Sequence, residues 1–222
     1  MTTYGHSERG RWLFGSVAAE VLRRAHVPVG LVSSGVAPTH VFDQRPTILV
    51  PLDGSELGEA APRAAADMAA QLTARVALFE AVSPPVSAVA STSVDVDSDA
   101  RLWQARRYLI DVARRISPIV RHLDVRTAIG FPAVAIPRAA SEIGSDFILL
   151  ATHGANDAPR IPLGSVAAAV LRQVSSPLLL VRPDFLGERS VAQGNDTADA
   201  SESDDADPPG EAQTSGTELL AV

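Results

Sequence analysis

The sequence predicts an α/β protein built on a doubly wound sheet of five parallel strands with helices on both faces. Between residues 46 and 184, short apolar runs alternate with longer segments of helical periodicity. Such alternation builds a parallel sheet through right-handed crossovers. The apolar runs end in turn chemistry, as at Asp53-Gly54-Ser55 and Gly130-Phe131-Pro132, the pattern of strands buried on both faces. A hydrophobic content of 46% is enough to fill the core such a sheet needs.

The elements follow in order. Thr47–Leu52 is the first strand, ending at Asp53-Gly54-Ser55. Ser55 is placed to cap the next helix, and Glu56 and Glu59 suit its positive end. That helix runs to about Leu72, with Pro62 inside it as a candidate kink. Val76–Val82 is the second strand, and 84–97 a polar loop containing proline and serine. Ser98–Ile116 is a long helix with Leu102, Tyr108, Leu109, Val112 and Ile116 along one side. Val125–Ile129 is the third strand, followed by a helix over about Ala133–Glu142. Phe147–Ala151 is the fourth strand, Ser165–Val174 the last helix and Leu178–Val181 the fifth strand. Ligands in such folds sit beyond the carboxyl ends of the strands, where strand order reverses. That places Asp53 and the segment after Ala151 in one crevice.

Outside this domain lie three further segments. Residues 1–35 repeat its end with a shift of 149 and no gap. Gly5 falls on Gly154, Arg11 on Arg160, and Gly15–Ala19 on Gly164–Ala168. Val21-Leu22-Arg23 falls on Val170-Leu171-Arg172, and Leu31-Val32 on Leu180-Val181. The chain therefore opens with a loop, a helix and a strand that lack the rest of a domain: either it is a shortened tandem protein whose start lies upstream, or the fragment is genuine and packs against the complete domain. Residues 36–45 read as a linker. Residues 185–222 read as a disordered acidic tail: from Gly187 onward nine acids face one base, Arg189, with little apolar surface to offset ordering entropy.

The net charge of −7 is thus a property of the tail, and the near-neutral body gives no electrostatic case for nucleic acid. The absence of cysteine excludes disulfides and thiolate metal sites. No apolar run is long enough to span a membrane, and the amino terminus lacks signal-peptide character. Together these imply a cytoplasmic protein. The five histidines lack ligand spacing, so no metal site is expected.

The chemistry concentrates in Ala151–Val166, which leaves a strand, passes Gly154, and reaches a helix at Gly164-Ser165 after nine intervening residues. Glycines let the main chain approach a phosphate without a Cβ in the way. A helix start presents N–H groups to an anion. Ser165 adds a hydroxyl and Arg160 a cation.

These residues resemble the universal stress protein family, whose nucleotide-binding members carry Gly-x2-Gly-x9-Gly-Ser/Thr at this place. The chain matches at Gly154, Gly164 and Ser165, with Ala151 where the first glycine is usual. Val50–Ser55, Gly130–Ala133 and Ser145–Leu150 also fit, so the resemblance covers roughly 46–184 and the repeat at 1–35. It implies strand order 3-2-1-4-5, as in the adenine nucleotide alpha hydrolase-like fold, and a sensor that holds ATP, with or without magnesium, or else AMP or cyclic AMP. It places Asp53 near the ribose, Pro51 and Leu52 along the adenine slot, and Ala81 against the base. Gly154, Gly164, Ser165 and Val166 would hold phosphates, with Ala151, Arg160 and Leu163 completing the loop. No catalytic residue is implied. The chain has no Walker-type Gly-Lys-Ser/Thr, no paired carboxylates and no lysine, which leaves at most slow hydrolysis. The alternative is a nucleotide-free scaffold. It would pair through Leu178–Val181, either with a second copy as a homodimer or with Val29–Ser33 of the same chain as an internal pseudo-dimer.

Overall fold

The computed structural model describes residues 16–25, 27–32, 45–84, 96–152 and 163–182. All lie within one compact unit that ends before residue 188. Residues 36–44 of the expected linker, the acidic tail, and Gly154 and Arg160 in the loop fall outside the described residues.

The elements are α1 (Ser16–Arg24), β1 (Val29–Leu31), β2 (Thr47–Leu52), a 3-10 turn (Leu57–Glu59), α2 (Ala60–Leu72), β3 (Arg75–Val82), α3 (Val96–Ile116), β4 (His122–Ile129), α4 (Pro132–Ile143), β5 (Phe147–Ala151), α5 (Ser165–Leu171) and β6 (Leu178–Val181). They form one sheet in the order β1-β6-β5-β2-β3-β4. The five strands of the main domain follow the expected parallel order. The sheet nevertheless has six strands, not five, and is mixed. The amino-terminal strand β1 adds to the outer edge of β6 antiparallel, pairing Val29 with Leu180, Gly30 with Leu179 and Leu31 with Leu178. A strand left at a sheet edge exposes unpaired N–H and C=O groups, and the repeat fragment satisfies those of β6 within the chain.

Side-chain alternation divides the core in two. Ile48, Val50 and Leu52 of β2 and Val76 and Leu78 of β3 face α2 and α3. Leu49, Ala77 and Phe79 face the opposite cluster, which contains α4 and α5 residues together with Leu22 and Leu31 of the repeat fragment. The core-facing side of α2 is almost entirely alanine, from Ala60 to Ala69, which lets its backbone lie close to the sheet. Pro62 sits in the first turn of α2, where a missing N–H removes no helical bond, so it supplies no mid-helix kink. Instead a proline interrupts α4, at Pro137. The carbonyl it leaves without a helical donor, that of Ala133, accepts the side-chain amide of Gln173 at 2.8 Å. Helix α4 ends on Gly144 at φ +60, with Ser145 N–H returning to Ala140 O, the left-handed stop that glycine favours.

Several boundaries differ from the sequence reading. β4 begins at His122 rather than Val125. As an edge strand it alternates exposed and half-buried residues, so its start carries no apolar run. α3 begins two residues early. α5 stops at Leu171 rather than Val174, and Gln173 closes a tighter turn onto Val170 O ahead of Pro177.

Candidate functional site

β2 and β5 are adjacent and parallel, yet the chain passes from β2 to β3 on one side and returns to β5 on the other. This is the switch point of the sheet, where a crevice opens beyond the carboxyl ends of the strands. The ladder between β2 and β5 joins Ile48 to Phe147 and Leu49 to Ile148, near the start of both strands. Asp146 fixes that start, accepting Thr47 N–H at 2.7 Å and donating its own N–H to Thr47 O at 2.9 Å. Both strands therefore leave at the same end: Pro51 and Leu52 buried, Asp53 exposed, Ala151 half-buried and Thr152 buried.

Asp53 is held by its own turn. Its Oδ1 accepts the Ser55 hydroxyl at 2.6 Å and the Ser55 N–H at 3.0 Å. Ser55 Oγ in turn accepts Gly58 N–H at 3.1 Å, which realises the expected cap at the 3-10 turn. Two glycines permit this. Gly54 has φ +76, and a Cβ on Gly58 would lie 3.0 Å from Asp53 Oδ1. Gly58 is a site residue that the motif reading passed over, and its only signal was a glycine three positions after Ser55.

On the other side of the switch point the loop after β5 is closed at its base. Thr152 N–H donates to Val181 O at 2.8 Å, and Gly164 N–H donates to Thr152 O at 2.9 Å. Gly164, extended at φ −60 and ψ 156, caps α5, and its carbonyl accepts Ala168 N–H. The amide of Gly164 is therefore occupied in pinning the loop. Leu163 is buried, while Ser165 is exposed and Val166 half-buried. The structure thus brings Pro51, Leu52, Asp53, Ala151, Leu163, Gly164, Ser165 and Val166 to the carboxyl ends of β2 and β5. Ala81 lies near the end of β3, one strand away.

A carboxylate that the sequence reading did not single out lies beside Ala81. Glu80 pairs in register with Leu52 and shares its face with Val76 and Leu78 by strand alternation. Its Oε2 is buried and makes no hydrogen bond among the described residues. Burial first, and then the charge of Asp53, push its carboxyl above the ordinary value. The same face holds Tyr108 of α3, whose buried hydroxyl also lacks a partner among the described residues. Burial and the nearby acids Glu59, Glu80 and Asp53 push the phenol up to about 12. The clue in the sequence was an acid inside the apolar run Val76–Val82. The described residues hold no group of three side chains able to bind a metal ion, and no helix long and apolar enough to cross a membrane.

Residues 45–182 match the model of the Universal stress protein family. The chain belongs to the universal stress protein family. A universal stress protein of Staphylococcus haemolyticus is 29% identical over 145 residues, covering 64% of this chain and 87% of the relative. One of Mycobacterium bovis is 28% identical over 198 residues, covering 82% of this chain and 61% of the longer relative. A solved universal stress protein from Archaeoglobus fulgidus superposes with a TM-score of 0.55 at 21% identity, over 82% of this chain and 59% of that one. At that identity the likeness shows the fold alone.

Proposed function

We propose that this universal stress protein is a binding module for an adenine nucleotide, ATP or a related one, and that it acts by occupancy rather than by turnover. The supporting observation is the convergence at the switch point. A carboxylate fixed by its own turn, Asp53, leaves β2 beside β5, whose following loop is pinned shut by the Thr152–Gly164 bond. In this reading Asp53 holds the ribose hydroxyls and Pro51 and Leu52 form the apolar wall for the base. The loop from Ala151 to Val166 carries the phosphates, with Gly154 and Arg160 as its contacts. The sequence carries no Walker-type Gly-Lys-Ser/Thr and no lysine, which favours a sensor over an ATPase.

A ligand that binds only the folded form raises apparent stability, by about 2.7 kcal/mol at a hundredfold excess over Kd. Millimolar Mg-ATP is therefore expected to raise the melting temperature by several degrees. No shift with ATP, ADP, AMP or cyclic AMP would leave the second reading, a nucleotide-free scaffold. That reading is supported by one observation of its own: β1 pairs antiparallel with β6, the contact through which an internal pseudo-dimer would form.

A further inference from the structure

The internal repeat supplies a direct comparison between two copies of one helix. α1 and α5 correspond residue for residue with a shift of 149. Their sheet-facing sides are buried alike: Ala18 is 6% exposed and Ala167 4%, and Leu22 is 2% and Leu171 6%. Their other apolar sides differ. Val170 is fully buried at 0%, whereas Val21, its equivalent, is 38% exposed. Val166 is half-buried against the core, whereas Val17 is 67% exposed.

The difference has one cause. In the complete domain α4 packs on α5, bringing Ala135, Ile136, Ala139 and Ala140 into the same cluster as Val166 and Val170. Gln173 locks the pair by donating to Ala133 O, the carbonyl that Pro137 frees. No described helix stands over α1 in this way. Val17, Val21 and Ala25 instead line an open groove, flanked by Glu20 and Arg24. Arg24 occupies the position of Gln173; its Nε is paired with Glu20, and its terminal nitrogens keep donors there.

We propose that the exposed face of α1 is a docking seat for a helix of the α4 type. Its occupant is an amphipathic protein helix with an alanine and isoleucine stripe, interrupted by a proline that leaves a carbonyl for Arg24. The valines supply the apolar contact, and Arg24 supplies the polar lock that Gln173 makes in the complete copy. The α4 of a second copy does not fit the role, because its own α5 already covers that stripe. The seat is therefore selective for an α4-type helix with no α5 against it.

The test uses the full chain and a labelled peptide of residues 131–144. Isolated helices shorter than about 12 residues are marginal in water. The peptide is therefore held helical by a lactam between Glu142 and the lysine of an Arg138→Lys change on its exposed side. Saturable one-to-one binding is expected, weakened at least tenfold by Val21→Glu and several-fold by Arg24→Ala. Val134→Glu, a charge placed on an exposed valine elsewhere, should leave binding unchanged. Val21 is already partly exposed, so the variant is expected to fold, and its melting curve checks this. The proposal is overturned by a lack of saturation at millimolar peptide or by equal binding to the Val21→Glu variant. It is also overturned by a wild-type dimer that Val21→Glu dissolves, which would make a second copy the occupant.

Discussion

The carbonyl oxygen of Thr152 accepts the amide N–H of Gly164 at 2.9 Å, so the residue that follows β5 is bonded to the residue that caps α5. This bond sets the loop's width at its base and takes the amide of the family glycine away from any ligand.

Gly164→Pro isolates that bond, since proline tolerates φ −60 but has no N–H to donate. The expected loss is about 1 kcal/mol by urea denaturation, together with weaker nucleotide binding. Gly164→Ala keeps the donor at a backbone conformation open to any residue and is expected to lose less of both. Equal losses from the two variants would show that space at Gly164, not the bond, is what matters.

Asp53 combines two roles that substitutions can separate. Asn at this position still accepts from the Ser55 N–H and hydroxyl but carries no charge. Asp53→Asn is therefore expected to keep stability within about 0.5 kcal/mol while weakening nucleotide binding about tenfold, the worth of one charge-assisted hydrogen bond. Asp53→Ala should lose the binding and about a further 1 kcal/mol of stability from the turn. Calorimetric titration alongside thermal melts distinguishes the two losses.

Much of this fold was legible in the sequence because buried parallel strands write themselves as apolar runs. Phe147–Ala151 and Leu178–Val181 are found with the expected bounds, and the repeat at shift 149 pointed to the antiparallel seam as one of two possible pairings. What escaped was set by tertiary contact. The early start of β4 is hidden because an edge strand alternates polar and apolar residues, as Leu123, Asp124, Val125 and Arg126 do in turn. The occupied amide of Gly164 depends on where Thr152 ends, which no spacing rule encodes. Glu80 was visible as an acid in an apolar strand, but its burial depends on α3 lying over that face.

Glu80 gives the chain a pH dependence of defined sign. Its folded-state carboxyl lies above the ordinary value of 4.5, so the folded protein keeps a proton that the unfolded chain has released. Stability therefore falls as pH rises from the unfolded value through the folded one, and the penalty is complete above it. Glu80→Gln should raise the melting temperature at pH 7, leave it unchanged at pH 4, and flatten the decline between them. An unchanged melting temperature at pH 7 would show that the carboxylate is solvated at no cost.

The seam between β1 and β6 is expected to stabilise the main domain. Leu31 is fully buried, and Leu31→Ala should cost about 2–4 kcal/mol. Removing residues 1–35 uncovers the β6 edge and should shift sedimentation toward self-association or lower the melting temperature. A truncated chain with unaltered sedimentation and melting would make the fragment a passive appendage.

Equilibrium dialysis of the full chain and its Asp53→Asn variant against labelled ATP tests the central reading most directly. Saturable binding of one ATP per chain, weakened about tenfold in the variant, is the predicted result. Absence of bound ATP at millimolar concentration, or identical binding by both proteins, would contradict it.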